Sequence, residues 1–224
     1  MINSDDEFYK KAKVLSTELY PTIGGFVVAF ESLCHSLKTG VEEILLQQGL
    51  SDGKLAEILI GDMTLFPLQS VYRSLLVQAY KLDAKEISII DNIFKRVCEI
   101  NEERNGIIHS AWFIDFKNPN DIEKGLLMKY RPGASKHGAK ESPSKYPLED
   151  IKKSSERVRI LINLVEELNM CVYRNVYIAS RFNIDVGKNS VAVGTLLDHF
   201  QTEKPPVAPA VSRGMRRIRR FDRP

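Results

Sequence analysis

Apolar residues recur along most of the chain at intervals of three and four, the spacing that places them on one face of an α-helix. Residues 5–19 open with carboxylates and read as a short amphipathic helix. Pro21 is expected to interrupt it, because a proline inside a helix removes a hydrogen bond and crowds the preceding turn. A longer apolar helix is predicted over 22–48, with Gly49 as its stop signal. Residues 51–61 predict a short helix capped by Ser51. Residues 64–81 predict another, on which Leu65, Leu68, Val71, Tyr72, Leu75, Leu76 and Ala79 repeat at helical spacing.

Asp83 is placed to cap a helix whose stripe is Ile90, Ile93, Phe94 and Val97, the same face returning at Asn101, Arg104 and Ile108. After it, residues 111–116 and 126–130 either pair as a small β-hairpin around Asn118-Pro119-Asn120 or continue the helix through Trp112. Residues 131–146 are rich in Pro, Gly, Ser and Lys without periodicity, and are expected to form a mobile loop. The last long helix is expected from Pro147 or Leu148 to about Ser180, started by a proline and acidic first-turn residues. Its apolar face carries Val158, Leu161, Ile162, Val165, Leu168 and Val172. A weaker helix is expected over 191–200. The reading is all-α: an up-and-down helical bundle over residues 1–200 with a loop insertion at about 113–147, then a flexible, disordered Pro/Arg-rich basic tail over 201–224.

Composition changes little in this picture. Hydrophobic residues at 43% and charged residues at 27% are ordinary for a globular chain, and a net charge of +3 implies no partner by itself. The charge is unevenly placed: residues 212–223 hold six arginines against one aspartate, leaving the rest slightly acidic. Cys34, Cys98 and Cys171 are odd in number, far apart and set among apolar residues. They read as buried reduced thiols rather than a disulfide framework or zinc site. The acidic N-terminal residues lack a signal-peptide pattern, and no apolar run reaches the ~18 residues of a membrane span. A cytoplasmic location without membrane contact is expected.

The helical pattern breaks at Arg104. It lies about 40° from Ile90 on an ideal helix, on the face that packs inward. A buried guanidinium requires a partner, so Arg104 and Asn101 together mark either a polar pocket, a polar subunit seam, or an arginine whose stem packs while its head reaches water. His109 shares a face with Asn105, four residues earlier. It lies about 140° around the helix from Arg104. The two converge only if the helix ends or bends between them, which Gly106 would permit, or if a two-fold dimer brings copies together.

Arg104-Asn105 followed by His109, four residues intervening after the arginine and on a helical bundle, resembles the Arg-x4–6-His motif of the HEPN superfamily, in which Asn after Arg is the commonest form. The likeness covers residues 22–180 in architecture and these few residues in motif. From composition, the arginine–histidine spacing is expected by chance roughly 0.25 times in this chain, and about 0.01 times with the asparagine. Arg131 and His137 also fit the looser spacing, but in the Pro/Gly/Ser stretch and without the asparagine. The resemblance implies a homodimer with both motifs facing one cleft, and metal-independent endoribonuclease chemistry by 2′-hydroxyl attack, leaving 2′,3′-cyclic phosphate ends. His109 would be the base, Arg104 the cation for charge on phosphate, and Asn105 the orienting group. It also implies a toxin or antiviral-defence effector, with RNA as substrate and a cognate antitoxin or regulator as partner. The alternatives are a catalytically inactive HEPN bundle serving as a dimerising, ligand- or partner-binding module, and a plain helical scaffold.

One departure stands out. Some HEPN toxins have a tyrosine two residues after the histidine; here that residue is Ala111. Trp112 is expected to pack rather than to stack a base. His35, in an apolar helix, reads as a core or seam residue, and His199 as solvated. Arg216, Arg217, Arg219 and Arg220 are either RNA-phosphate contacts, a solvated end, or an arm for an acidic protein. Lys136, Lys140 and Lys145 would add to a basic rim. No cofactor or metal is expected from the His, Cys and Asp spacings.

Overall fold

The computed structural model describes residues 4–135, 138–185 and 190–193. Six α-helices dominate these residues, joined by a three-stranded and a two-stranded antiparallel sheet. The chain is mostly helical, as the sequence predicts, and the small hairpin allowed for in the insertion is part of a three-stranded sheet.

Helix α1 (Ser4–Gln47) is a single helix of 44 residues that runs through Pro21, where the sequence predicted a break. Pro21 is exposed, so the carbonyl it leaves without an N–H partner, that of the exposed Thr17, faces water. On the other face Leu19, Phe26, Phe30, Leu33 and Leu37 are buried. Each such side chain contributes about 1.5–3 kcal/mol, which together outweighs the roughly 3 kcal/mol that an interior proline costs. The helix ends as expected at Gly49 (φ 101°), with Leu50 N–H donating to Leu45 O at 3.0 Å and Gly49 N–H to Leu46 O at 3.0 Å.

Helix α2 (Gly53–Ile60) is capped by Asp52, whose side chain accepts from Lys54 N at 2.9 Å, and not by Ser51. Helix α3 (Leu65–Ala79) buries Leu65, Leu68, Tyr72 and Leu76, with Val71, Leu75 and Ala79 half-buried beside them. Helix α4 (Ala84–Ile108) starts in a capping box: Asp83 accepts from Glu86 N at 2.8 Å, and Glu86 from Asp83 N at 3.0 Å. Its predicted stripe of Ile90, Ile93, Phe94 and Val97 is buried.

The chain then leaves helix. Strand β1 (Ala111–Phe113) and β2 (Leu126–Ser135) are paired antiparallel, with the short α5 (Pro119–Glu123) between them, so the hairpin alternative holds over the continued helix. Strand β3 (Gly138–Pro147) pairs with the whole of β2, from Leu126 opposite Pro147 to Ser135 opposite Gly138. The stretch read as a loop is thus strand over 131–135 and 138–146. Main-chain hydrogen bonds hold such an arm, so its strands need not show the alternation of a strand lying on a core.

Helix α6 (Leu148–Arg174) packs along α1 and buries Val158, Leu161, Val165, Leu168 and Val172, with Ile162 half-buried. It ends six residues before the expected Ser180, at Asn175 in the left-handed region (φ 51°), whose turn is closed by Val176 N–H donating to Cys171 O at 2.9 Å. A 3-10 turn (Ile178–Ser180) leads into β4 (Phe182–Asp185), paired with β5 (Ser190–Val193). The helix expected over 191–200 therefore begins as strand, with Val191 buried in the core and its strand in contact with α4 and α6. The rest of that stretch and the 201–224 tail lie outside the described residues.

Cross-helix bonds give the directions. Ser36 and Asn169, and Gln47 and Val172, join α1 to α6 running the same way. Arg73–Asp91 and Gln69–Cys98 join α3 to α4 running oppositely; Glu103–Arg157 ties the end of α4 to the first half of α6, and Glu86–Ile178 ties the start of α4 to the turn after α6, so these two also run oppositely. Helices α3, α4 and α6 thus alternate in direction, with the three-stranded sheet inserted where α4 hands over to α6. Among the described residues no helix is long and apolar enough to cross a membrane.

Candidate functional site

The last two turns of α4 carry Arg104, Asn105 and His109, and the helix runs unbroken through Gly106 to Ile108. Gly106, which would permit a bend, is buried and lies within continuous helix. His109 is the C-cap residue, its N–H donating to Asn105 O at 3.3 Å, and its side chain is exposed. Arg104 and His109 of one chain therefore point about 140° apart. No hydrogen bond joins them among the described residues.

Arg104 is half-buried on the α1 side. Its guanidinium carbon lies 5.5 Å from the centre of the Phe30 ring, and Nη1 donates to Asn105 Oδ1 at 3.3 Å. It is close enough to Cys34, one turn on from Phe30, to favour the thiolate there, although burial dominates and pushes that thiol up to about 11. Among the described residues no carboxylate pairs with Arg104. The face beginning at Ile90 thus turns polar in its last two turns, with Asn101, Arg104 and Ile108 all half-buried.

The opposite side of the same turns meets the sheet. Trp112, Lys129 and Ser144 stand opposite one another across the three strands. Trp112 Nε1 donates to Ile107 O at 2.9 Å and its ring meets Tyr146 edge-on at 5.5 Å, so it packs as expected. Ser110 Oγ donates to Gly106 O at 2.7 Å. Two of the carbonyls that a helix end leaves free are satisfied in this way. Lys129 Nζ lies 4.8 Å from the Tyr146 ring centre and 5.7 Å from that of Trp112, and 3.2 Å from where a Cβ on Gly106 would sit. Burial and, after it, the neighbouring Arg131 cation hold the Lys129 ammonium below the usual lysine value, with Glu103 opposing them.

Glu103 belongs to a second polar group. Its Oε2 accepts from Ser154 Oγ at 2.9 Å and from Arg157 Nη2 at 2.5 Å, tying α4 to α6. Tyr146 borders this group, and burial, with Glu103 and Asp150, holds its phenol above the usual tyrosine range. None of Lys129, Tyr146, Glu103, Ser154 or Arg157 was singled out in sequence. The available signal was a lysine at the alternate position after the core residue Leu127, on the strand face that turns inward.

Other expectations fall differently. His35 is exposed on α1, not in the core, and Lys145 is spent on the buried Asp121 carboxylate at 2.8 Å rather than free on a rim. His137, His199, the side chains of Lys136 and Lys140, and Arg216, Arg217, Arg219 and Arg220 lie outside the described residues. Cys171 is buried and Cys34 and Cys98 half-buried, all three as free thiols. Among the described residues no three His, Cys, Asp or Glu side chains gather to hold a metal ion. Compared with known proteins, the chain matches no family model, and no curated protein or solved structure is significantly similar to it.

Proposed function

We propose that the end of α4 is half of an RNA-cleaving site of HEPN type, completed by a second copy of the chain. The observation that carries this reading is the state of Arg104 and His109. The imidazole is exposed at a helix end, and among the described residues the half-buried guanidinium is engaged only by a neutral amide and a ring face. A guanidinium not neutralised by a carboxylate keeps its charge for a phosphate. The motif spacing supports the same reading. So does the angle between the two side chains, which calls for a partner to supply the missing half of each cleft.

In this reading His109 takes the proton from a ribose 2′-hydroxyl, and O2′ attacks the adjacent phosphorus. The 5′-oxygen leaves with a proton returned by the imidazolium, giving a 2′,3′-cyclic phosphate and a 5′-hydroxyl. Arg104 stabilises charge on the phosphate and Asn105 orients it. Arg216, Arg217, Arg219 and Arg220 would add affinity without sequence choice. Such an activity fits a toxin or defence effector held in check by a cognate antitoxin or regulator. Purified protein incubated with mixed RNA in chelator is expected to yield cyclic-phosphate ends. His109→Ala is expected to lower the rate by on the order of 100-fold or more, and Arg104→Ala to abolish cleavage while keeping the fold. Wild-type protein that leaves RNA intact at every salt concentration would sink the reading.

The contact of Arg104 with Phe30 favours a second reading, a catalytically silent HEPN bundle in which this arginine stiffens the α1–α4 seam and the dimer binds a ligand or partner. It predicts an intact dimer with no cleavage, and loss of stability in Arg104→Ala.

A further inference from the structure

A cation other than Arg104 lies against the end of α4. Position 106 lies only about 60° around the helix from position 109, and side chains so spaced start about 5–6 Å apart. The ammonium of Lys129 sits over position 106. The three N–H donors of that ammonium meet only the ring faces of Trp112 and Tyr146 among the described residues. The nearby Glu103 carboxylate is occupied by Ser154 and Arg157. Arg131, two residues along the same strand and exposed, shares the strand face of Lys129 and raises the positive potential there. Two like charges held close, one of them half-buried with unspent donors, make a seat for an anion.

We propose that Lys129, backed by Arg131, is the phosphate-seating cation on the His109 side of the cleft, so that each protomer carries its own cation beside its own histidine. The phosphate is that of a single-stranded RNA, and the assignment rests on the RNA-cleaving reading of α4. Trp112 and Tyr146 position the ammonium: their faces hold a cation without neutralising it. Arg104, on the far side of the helix, then serves the partner's cleft.

The test uses the full chain carrying His109→Ala, which holds single-stranded RNA uncleaved, and measures RNA affinity across a salt series. Adding Lys129→Met is expected to weaken binding at least tenfold and to lower the salt slope by about one unit, as loss of one phosphate contact does. Lys129→Arg is expected to restore both, and Arg131→Ala to weaken binding without altering circular dichroism. In the cleaving protein Lys129→Met is expected to raise KM more than it lowers kcat. A merely structural lysine would change stability and leave the salt slope alone. Unchanged affinity and slope in Lys129→Met overturn the seat while leaving the nuclease reading intact. Lysine-dependent binding by a wild-type protein that cleaves nothing overturns the nuclease reading and keeps the seat. Absence of RNA binding by any form overturns both. Should Lys129→Met unfold, the salt slope of Arg131→Ala decides in the same way.

Discussion

Lys129 loses hydration against Trp112 and Tyr146 and gains a like-charged neighbour in Arg131, and both effects favour its neutral form. Between its lowered value in the folded chain and the ordinary lysine value, the unfolded chain binds more protons. Stability therefore rises with pH through that window. Wild-type protein is expected to gain stability relative to Lys129→Met as pH is raised from 7 towards 10, read as the urea midpoint of wild type minus that of the variant; a fall in that quantity with pH would contradict the assignment. Gly40 makes the opposite kind of point, through space rather than charge. A Cβ there would collide with Asn169 Oδ1 and with the Tyr72 ring at 2.5 Å. Those atoms are locked by Tyr72 OH donating to Asn169 Oδ1 at 2.5 Å and Asn169 Nδ2 donating to Ser36 O at 2.8 Å. Gly40→Ala is expected to cost about 1–3 kcal/mol in chemical denaturation, as overpacking does.

Helix α1 shows that an element is decided by all its faces together. Pro21 is unfavourable locally, yet the helix continues because its lost hydrogen bond lies on the solvent side and its buried face is continuous from Leu15 to Ile44. Pro21→Ala is expected to raise stability by about 1–3 kcal/mol; a loss would contradict the account of Pro21 as a tolerated cost on the solvent side. The start of α4 was legible because Asp83 and Glu86 satisfy each other's backbone within three residues. Its cap also reaches further: Tyr177 OH donates to Asp83 Oδ2 at 2.6 Å, and Ile178 N–H to Glu86 Oε1 at 3.0 Å. Asp83→Ala is expected to cost about 0.5–2 kcal/mol, with faster amide exchange in the 3-10 turn as well as in the first turn of α4. The β2–β3 arm gave no comparable local sign, since its partners lie up to 21 residues apart and its composition is that of a loop.

At the scale of the whole molecule, the angle between Arg104 and His109 turns a question about chemistry into one about assembly. If each cleft takes its arginine from one copy and its histidine from the other, inactive Arg104→Ala and His109→Ala proteins, mixed and allowed to exchange, recover roughly a quarter of wild-type cleavage, because half the dimers are mixed and each has one intact cleft. No recovery in mixtures shown by mass spectrometry to contain the mixed dimer would mean that the two residues do not meet across a seam.

The sequence by itself determined that the chain is mostly helical, the buried stripes of α3, α4 and α6, the stop of α1 and the start of α4, and the position of Arg104, Asn105 and His109 near the end of α4. These are local matters, set by side chains three or four residues apart and by caps that bond within one turn. Tertiary structure alone decided that 131–135 and 138–146 form a strand arm, that residues from 190 begin as strand, and that Lys129, Tyr146, Glu103, Ser154 and Arg157 gather around one helix end. Each of those outcomes depends on residues brought together across long stretches of chain. Strand pairing and polar clusters draw their free energy from such distant partners, and no short window of sequence contains both of them.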